Sequence, residues 1–306
     1  MALTDELIQR IISETEGAIS EFDKSTLKAE KAILKKITEL LKELEVKRGR
    51  VQRTPANVRK IGAMKAEITR LIRGPEYAKG VRTFLKAFDI IANLQSQYFA
   101  SVINDFSIPK VLAAVRADSI TATAAALTEA GLTANLVEPV QGIIRSAITS
   151  GGQYTALLER MRGFLTGIED KPGALTRYTR VYTTDALNTF SAIYNQTVAD
   201  DLDLVWFRYV GSLLETSREW CRFMVKKNWI HKDEFQTVIN NHIDGVLICS
   251  DKIPCSASTE LPRGMKAGTN PGNLVQLRGG WNCGHQLIAT PTVLVPKDVV
   301  KAFLKK

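Results

Sequence analysis

The chain has 306 residues, 45% of them apolar and 24% charged, with a formal net charge of +9 and four cysteines. That length accommodates one large or two ordinary domains, and the composition is that of a soluble globular protein rather than a fibrous or disordered one. Four cysteines are too few for a disulfide framework at this length and fit a reducing compartment, with free thiols or metal ligation as options.

The first residues, MALTDELIQRIISETEG, carry acidic side chains early and lack a basic segment ahead of an apolar core, so they are not read as a secretion signal. No apolar run approaches the roughly eighteen residues needed to span a bilayer, and no membrane-spanning segment is expected. Residues 4 to about 46 read as a long helix, broken near Asp23 to Thr26. Ile33, Ile37, Leu40 and Leu44 form one apolar stripe, with Glu and Lys on the remaining faces.

From Lys47 to Lys86 the chain is strongly basic. Lys47, Arg48, Arg50, Arg53, Arg59, Lys60, Lys65, Arg70, Arg73, Lys79, Arg82 and Lys86 stand against Glu67 and Glu76 alone. Such a block attracts polyanions, and phosphate contacts would make its affinity salt-dependent. It fits nucleic acid and an acidic protein surface equally, because charge alone does not separate the two. The residues offered for nucleic acid are Lys47, Arg48, Arg50, Arg53, Arg59, Lys60, Lys65, Arg70 and Arg73. Gly49, Pro55, Gly74 and Pro75 break this stretch into a loop and a short helix over about 56–73.

Phe84, Phe88, Ile91, Leu94 and Tyr98 follow the helical period. Pro109 is placed to open a helix to about Ala117, and SITATAAALT at 119–128 is an Ala- and Thr-rich helix able to approach a neighbour closely. Pro139 and Gly142 bracket the next helix start, which Ser150-Gly-Gly ends. Residues 153–166 are an amphipathic helix, Lys171-Pro-Gly a turn, and 174 to about 199 a further helix. After Asp203 the texture changes: LVWFRYV, GVLIC and QLIATPTVLV read as strands, with a long loop over 250–280. The expected fold class is α+β: a predominantly α-helical N-terminal two-thirds with long helices, and a small mixed α+β C-terminal domain. The division is drawn at 1–173 and 174–306.

All four cysteines and all three histidines lie between Cys221 and His285. WFRYVGSLLETSREWC reads as a strand, a turn and the start of a helix that carries Cys221. GGWNCGHQLIATP is a Gly-Gly turn, a Cys-x-His pair and an apolar run stopping at Pro291. In an extended backbone Cys283 and His285 point to the same face.

An aromatic-Tyr-x-Gly strand, then Ser-Arg-x-x-Cys, an insert, then Gly-Gly-x-Asn-Cys-x-His, resembles the C-terminal domain of tailed-phage minor head proteins, the head morphogenesis family typified by the F protein of phage Mu. The matching residues are Tyr209, Gly211, Ser217, Arg218, Cys221, Gly279, Gly280, Asn282, Cys283 and His285, within roughly residues 175 to 295. Thr184 and Asp185 are the nearest match to a polar position that the family carries on the preceding helix. Two departures are plain: Gly284 stands where the family often has Arg, and Ser217 where it usually has Thr.

The resemblance implies a non-enzymatic virion component, a minor head protein associated with the portal region and acting in head assembly, DNA packaging or ejection. Its partners would be portal and capsid proteins and packaged DNA. Its place would be the capsid interior or the portal vertex, after synthesis in the host cytoplasm.

The residue types leave other chemistry open. Cys221, Cys249, Cys255, Cys283, His231, His242 and His285 supply enough ligands for a tetrahedral zinc site, with Cys221, Cys283 and His285 the first choice. Without a Cys-x-x-Cys pair, buried structural cysteines are the favoured reading and no cofactor is required. Cys221 or Cys283 with His285 and Asp244 has the residue types of a thiol hydrolase. A toxin-like transferase is a further enzymatic alternative, and a free basic DNA-binding protein a third class. Arg218 is expected to satisfy local acceptors, Asp185 among them, and the four tryptophans to be core.

Overall fold

The computed structural model describes residues 2–128, 130–169, 171–240, 242–243, 246–247, 261, 265–280 and 283–305. The elements run α1 (Ala2–Lys42), β1 (Val46–Lys47), β2 (Arg50–Val51), α2 (Pro55–Ile72), α3 (Pro75–Val102), α4 (Val111–Thr128), α5 (Ala130–Leu132) and, after a π-helical turn at Thr133–Val137, α6 (Glu138–Ser150). There follow α7 (Tyr154–Thr166), β3 (Gly167–Ile168), β4 (Lys171–Pro172), α8 (Ala174–Asp201), β5 (Trp206–Val210), α9 (Glu219–Lys227), β6 (Trp229–His231) and α10 (Phe235–Ile239). The chain closes with β7 (His242–Ile243), β8 (Val246–Leu247), α11 (Leu274–Leu277), β9 (Gln286–Thr290) and α12 (Lys297–Phe303). The fold is α+β and mainly helical, with small antiparallel sheets.

Two compact units divide the chain. The first gathers Met1–Glu16, Ala87–Ser119 and Thr184–Lys306, and the second Gly17–Lys86 and Ile120–Thr183. A cut at residue 173 is therefore not the line along which the chain packs. The change of texture near Asp203 marks where the three-stranded sheet begins, whereas packing groups its strands with parts of α1, α3 and α8.

Unit 2 is built on apolar stripes. Ile33, Ile37 and Leu41 are buried along α1 and Leu44 just beyond its end, with Leu41 taking the inward place expected of Leu40. α2 buries Ile61, Met64, Ile68 and Ile72 at helical spacing and packs on α6, which packs in turn on α7. The expected break at 23–26 is absent. Thr26 donates its hydroxyl to the Phe22 carbonyl at 3.0 Å, so a polar residue is satisfied inside an unbroken helix. Glu30, buried in α1, accepts from the Thr176 backbone N–H at 2.7 Å and so caps the first turn of α8. Burial pushes its carboxyl pKa up, against the lowering effect of these hydrogen bonds at Thr176.

The helices expected separately over 109–117 and 119–128 are one, α4. The helical run Val111–Ser150 is then long and apolar enough, by length and composition, to cross a membrane, although only 17% of its most apolar window is buried. Core helices of soluble proteins pass the same test of length and composition. Within unit 2, the hydroxyls of Tyr178 and Tyr182 donate to the α4 carbonyls of Ala126 and Ala122, at 3.0 and 3.4 Å. The π-helical turn immediately precedes Pro139, whose ring and missing N–H disfavour a regular helix at that point. Lys171-Pro172 is the second strand of a short hairpin with Gly167–Ile168 rather than a turn.

Unit 1 contains a three-stranded antiparallel sheet in the order β6-β5-β9. Trp206 pairs with both His231 and Thr290, and Val210 with Gln286. β6 was not legible as a strand, and Thr292–Leu294 is a 3-10 turn rather than a continuation of β9. Every residue of β9 is buried, and within β5 only Arg208 is not. Polar groups fix the sheet against helices. The Ser191 hydroxyl receives a hydrogen bond from Gln95 at 2.5 Å and donates to Gln286 at 2.7 Å, while Asn195 accepts from the Ala289 N–H at 3.2 Å. Tyr98 reaches Thr290 at 3.0 Å. Trp206 and Trp220 are core, and Trp229 is half-buried beneath the Arg208 guanidinium.

Candidate functional site

The site assembles around β5. The strand ends at Val210, and Gly211 turns the chain with φ +142, a conformation open to glycine. A Cβ there would lie 2.8 Å from the His285 Cα, so this glycine also lets two backbones meet. The following turn is fixed locally. The Leu214 N–H donates to the Ser217 hydroxyl at 2.8 Å, and Arg222 donates to the carbonyls of Leu214, Glu215 and Ser217 at 2.9, 2.7 and 3.1 Å. Arg218 is the residue before α9, and its Nη1 donates to the Gly279 carbonyl at 2.6 Å. Cys221 then falls in the first turn of α9, facing inward.

The second block approaches from α11. Arg278 is 3% exposed and donates to the carbonyls of His285, Val275 and Gln276, the last two at 3.3 and 3.1 Å. Gly280 takes φ +85, and its N–H donates to the Leu277 carbonyl at 2.8 Å, which closes the turn. Gly279 lies against both thiols: a Cβ there would sit 2.4 Å from Cys283 Sγ and 2.9 Å from Cys221 Sγ. Cys283 and His285 stand just ahead of β9.

Cys221, Cys283 and His285 therefore meet. One ligand atom from each lies within 4.8 Å of the others, and all three residues are buried. Cys283 Sγ is 3.6 Å from His285 Nδ1, while His285 Nε2 is buried with no hydrogen-bond partner among the described residues. The Tyr209 ring stacks on His285 at 5.2 Å, and its hydroxyl lies 3.9 Å from Cys283 Sγ. The hydrogen bond between the thiols splits their acidities. It pushes the Cys221 thiol up, with burial adding to the rise, and holds Cys283 well below the usual thiol value, helped by His285 and Arg278 against the cost of burial. Burial raises the Tyr209 phenol.

Of the residues singled out from the sequence, Tyr209, Gly211, Arg218, Cys221, Gly279, Cys283 and His285 come together, and Gly280 and Ser217 shape the two turns. Asn282, Trp281, Cys249, Cys255 and Asp244 lie outside the described residues, as does the side chain of His242. His231 is elsewhere: it caps the turn at Lys232–Glu234, accepting from the Asp233 N–H at 3.3 Å, and packs on Phe303. Asp185 accepts from Lys266 at 3.3 Å, and Thr184 is buried beside it on α8. Arg278 was missed. A lone Arg before a Gly-Gly pair carries no periodic signal, and only the carbonyls converging on it show its role. A nearby cleft of about 430 Å³, lined by Asp200, Asp203, Phe207, Lys232 and Asp233 among others, includes none of the Cys/His cluster.

The basic residues form a separate surface in unit 2. Lys47, Arg48, Arg50, Arg53, Arg59, Lys65, Arg70 and Arg73 are exposed, and Lys60 is half-buried beside Glu43. β1 and β2 make a hairpin whose two turn residues, Arg48 and Gly49, both have positive φ. Such a turn favours Asn or Gly at its first position, so the guanidinium of Arg48 is displayed at a backbone cost of about 1 kcal/mol. The hairpin is anchored by Asn57, which accepts from the Glu45 N–H at 2.8 Å and donates to the carbonyls of Glu45 and Gln52 at 3.0 and 2.8 Å. Arg50 donates to the Gly151 carbonyl at 3.1 Å, and Arg70 pairs with Glu67.

No protein-family model, characterised protein or solved structure matches the chain.

Proposed function

We propose that this protein is a structural virion component, a minor head protein of a tailed phage that associates with the portal region and acts in head assembly by binding. One observation carries the reading. The residues that resemble the Mu F-like pattern stand in two blocks separated by a long insert, yet they gather round one buried cluster, Cys221, Cys283 and His285. Residues sharing a motif across an insert are most simply explained by a shared three-dimensional site. The burial of that site favours binding over turnover: a thiol nucleophile has to reach its substrate, and both thiols here are at most 5% exposed.

The exposed basic hairpin and α2 supply the second half of the reading, a surface for packaged DNA or an acidic portal face. Mass spectrometry of purified virions from a host that carries this gene tests the whole. The chain should be present in fixed ratio to the portal protein and in far fewer copies than the major capsid protein. Its absence from virions that contain portal would refute the assignment.

A further inference from the structure

We infer that Cys221, Cys283 and His285 bind one thiophilic divalent cation, zinc by preference, as a structural clamp between α9 and the start of β9. Two thiolates and an imidazole are the ligand set of borderline-soft cations. The geometry suits it. A tetrahedral zinc at about 2.3 Å from sulfur and about 2.0–2.1 Å from nitrogen separates S from N by about 3.6 Å and S from S by about 3.8 Å. Cys283 Sγ and His285 Nδ1 are 3.6 Å apart, and all three ligand atoms fall within 4.8 Å of one another.

Three independent features converge on the same point. Gly279 is a cradle, because any Cβ at that position would occupy the space beside both sulfurs. The His285 ring is buried with Nδ1 facing the Cys283 sulfur, so it is already turned to ligate a shared cation through Nδ1 while Nε2 carries the proton. The surrounding groups hold the ligands in place: Tyr209 stacks on the imidazole, Arg278 fixes the His285 carbonyl, and Arg218 fixes the Gly279 carbonyl. The described residues supply three of the four ligands that a tetrahedral ion takes.

The consequence is mechanical. α9 and β9 are far apart in sequence and are joined through a long insert, and a shared ion crosslinks them directly. Cation binding then adds directly to the stability of this part of the chain.

The test uses the full chain, purified under reducing conditions. Elemental analysis should find about one zinc per chain, falling to roughly a tenth or less in Cys221→Ser and in Cys283→Ser. Because either variant may fail to fold, the wild-type protein carries a second measurement: stripped by a chelator and reloaded with cobalt(II), it should show thiolate-to-cobalt charge-transfer absorption and the visible bands of a tetrahedral ion, both abolished by zinc. A metal-free wild type that gives no cobalt spectrum overturns the site. So does metal retained in both variants, or a Cys221–Cys283 disulfide in protein purified without reductant.

Discussion

Unit 2 and the sheet end of unit 1 solve the same problem by different means. In unit 2 the core is a set of apolar stripes on α1, α2, α6 and α7, and the individual contacts are interchangeable hydrophobic ones. Around β5 and β9 the decisive contacts are specific and polar: a buried guanidinium on three carbonyls, a glycine against two sulfurs, and a serine between two glutamine side chains. Periodic burial tolerates substitution of like for like. Convergent polar packing does not, since removing one partner leaves the others buried and unsatisfied.

The largest effect should follow from Arg278→Met. It leaves the carbonyls of Val275, Gln276 and His285 without their donor, and should lower unfolding stability by about 3 kcal/mol. Urea denaturation measures this, and a loss below about 1 kcal/mol would show that the carbonyls find other donors. Next comes a pair of glycines five residues apart. Gly279→Ala places a methyl between the two sulfurs and should cost about 2 kcal/mol, whereas Gly284→Ala, with nothing within 4 Å among the described residues, should stay within about 0.5 kcal/mol. Equal effects at the two positions would remove the argument for close approach at Gly279.

The basic surface of unit 2 sharpens the contrast, because its side chains are exposed and, on the proposed reading, serve a partner rather than the fold. Replacing Arg48, Arg53, Arg59 and Lys65 by Gln should weaken duplex DNA binding about tenfold or more and flatten its salt dependence, while thermal stability stays nearly unchanged. An unaltered salt slope would turn the surface toward protein partners.

A smaller loss than that at Arg278 or Gly279 is expected at Glu30. Glu30→Ala removes the cap on α8 and should cost about 1 kcal/mol. Glu30→Gln keeps an acceptor for the Thr176 N–H and removes the charge. Because burial raises the native carboxyl above its unfolded value, the native state binds the proton more tightly, and wild-type stability falls as pH rises through and above that value. Relative to Glu30→Gln, the wild type should therefore lose stability between acidic and neutral pH, and the two should converge below about pH 4.5. A wild type that gains on the Gln variant as pH rises would reverse the assignment.

The division between legible and illegible parts follows the same line. Ile33, Ile37, Phe84, Phe88, Ile91 and Tyr98 repeat at helical spacing and are all buried, because that repeat encodes one face of a helix. Helix interruptions were over-read at Asp23–Thr26 and near residue 118, because polar residues lower helix propensity but can be satisfied within the helix by bonding a carbonyl one turn back. Cys221, Cys283 and His285 were legible as a group by residue type and by the Cys-x-His alternation. Arg278 and the Ser191–Gln286 link were not, because each depends on a neighbour distant in the chain with no pattern of its own. β6, three residues long, carries too little periodicity to read as a strand.

Hydrogen–deuterium exchange on the wild type and Cys221→Ala tests most directly whether the two motif blocks form one site. Losing a single thiol from α9 should raise exchange both in α9 and across Gln286–Thr290 of β9, while α2 and α7, which lie wholly in unit 2, keep their protection. Faster exchange confined to α9, with β9 unchanged, would contradict the account.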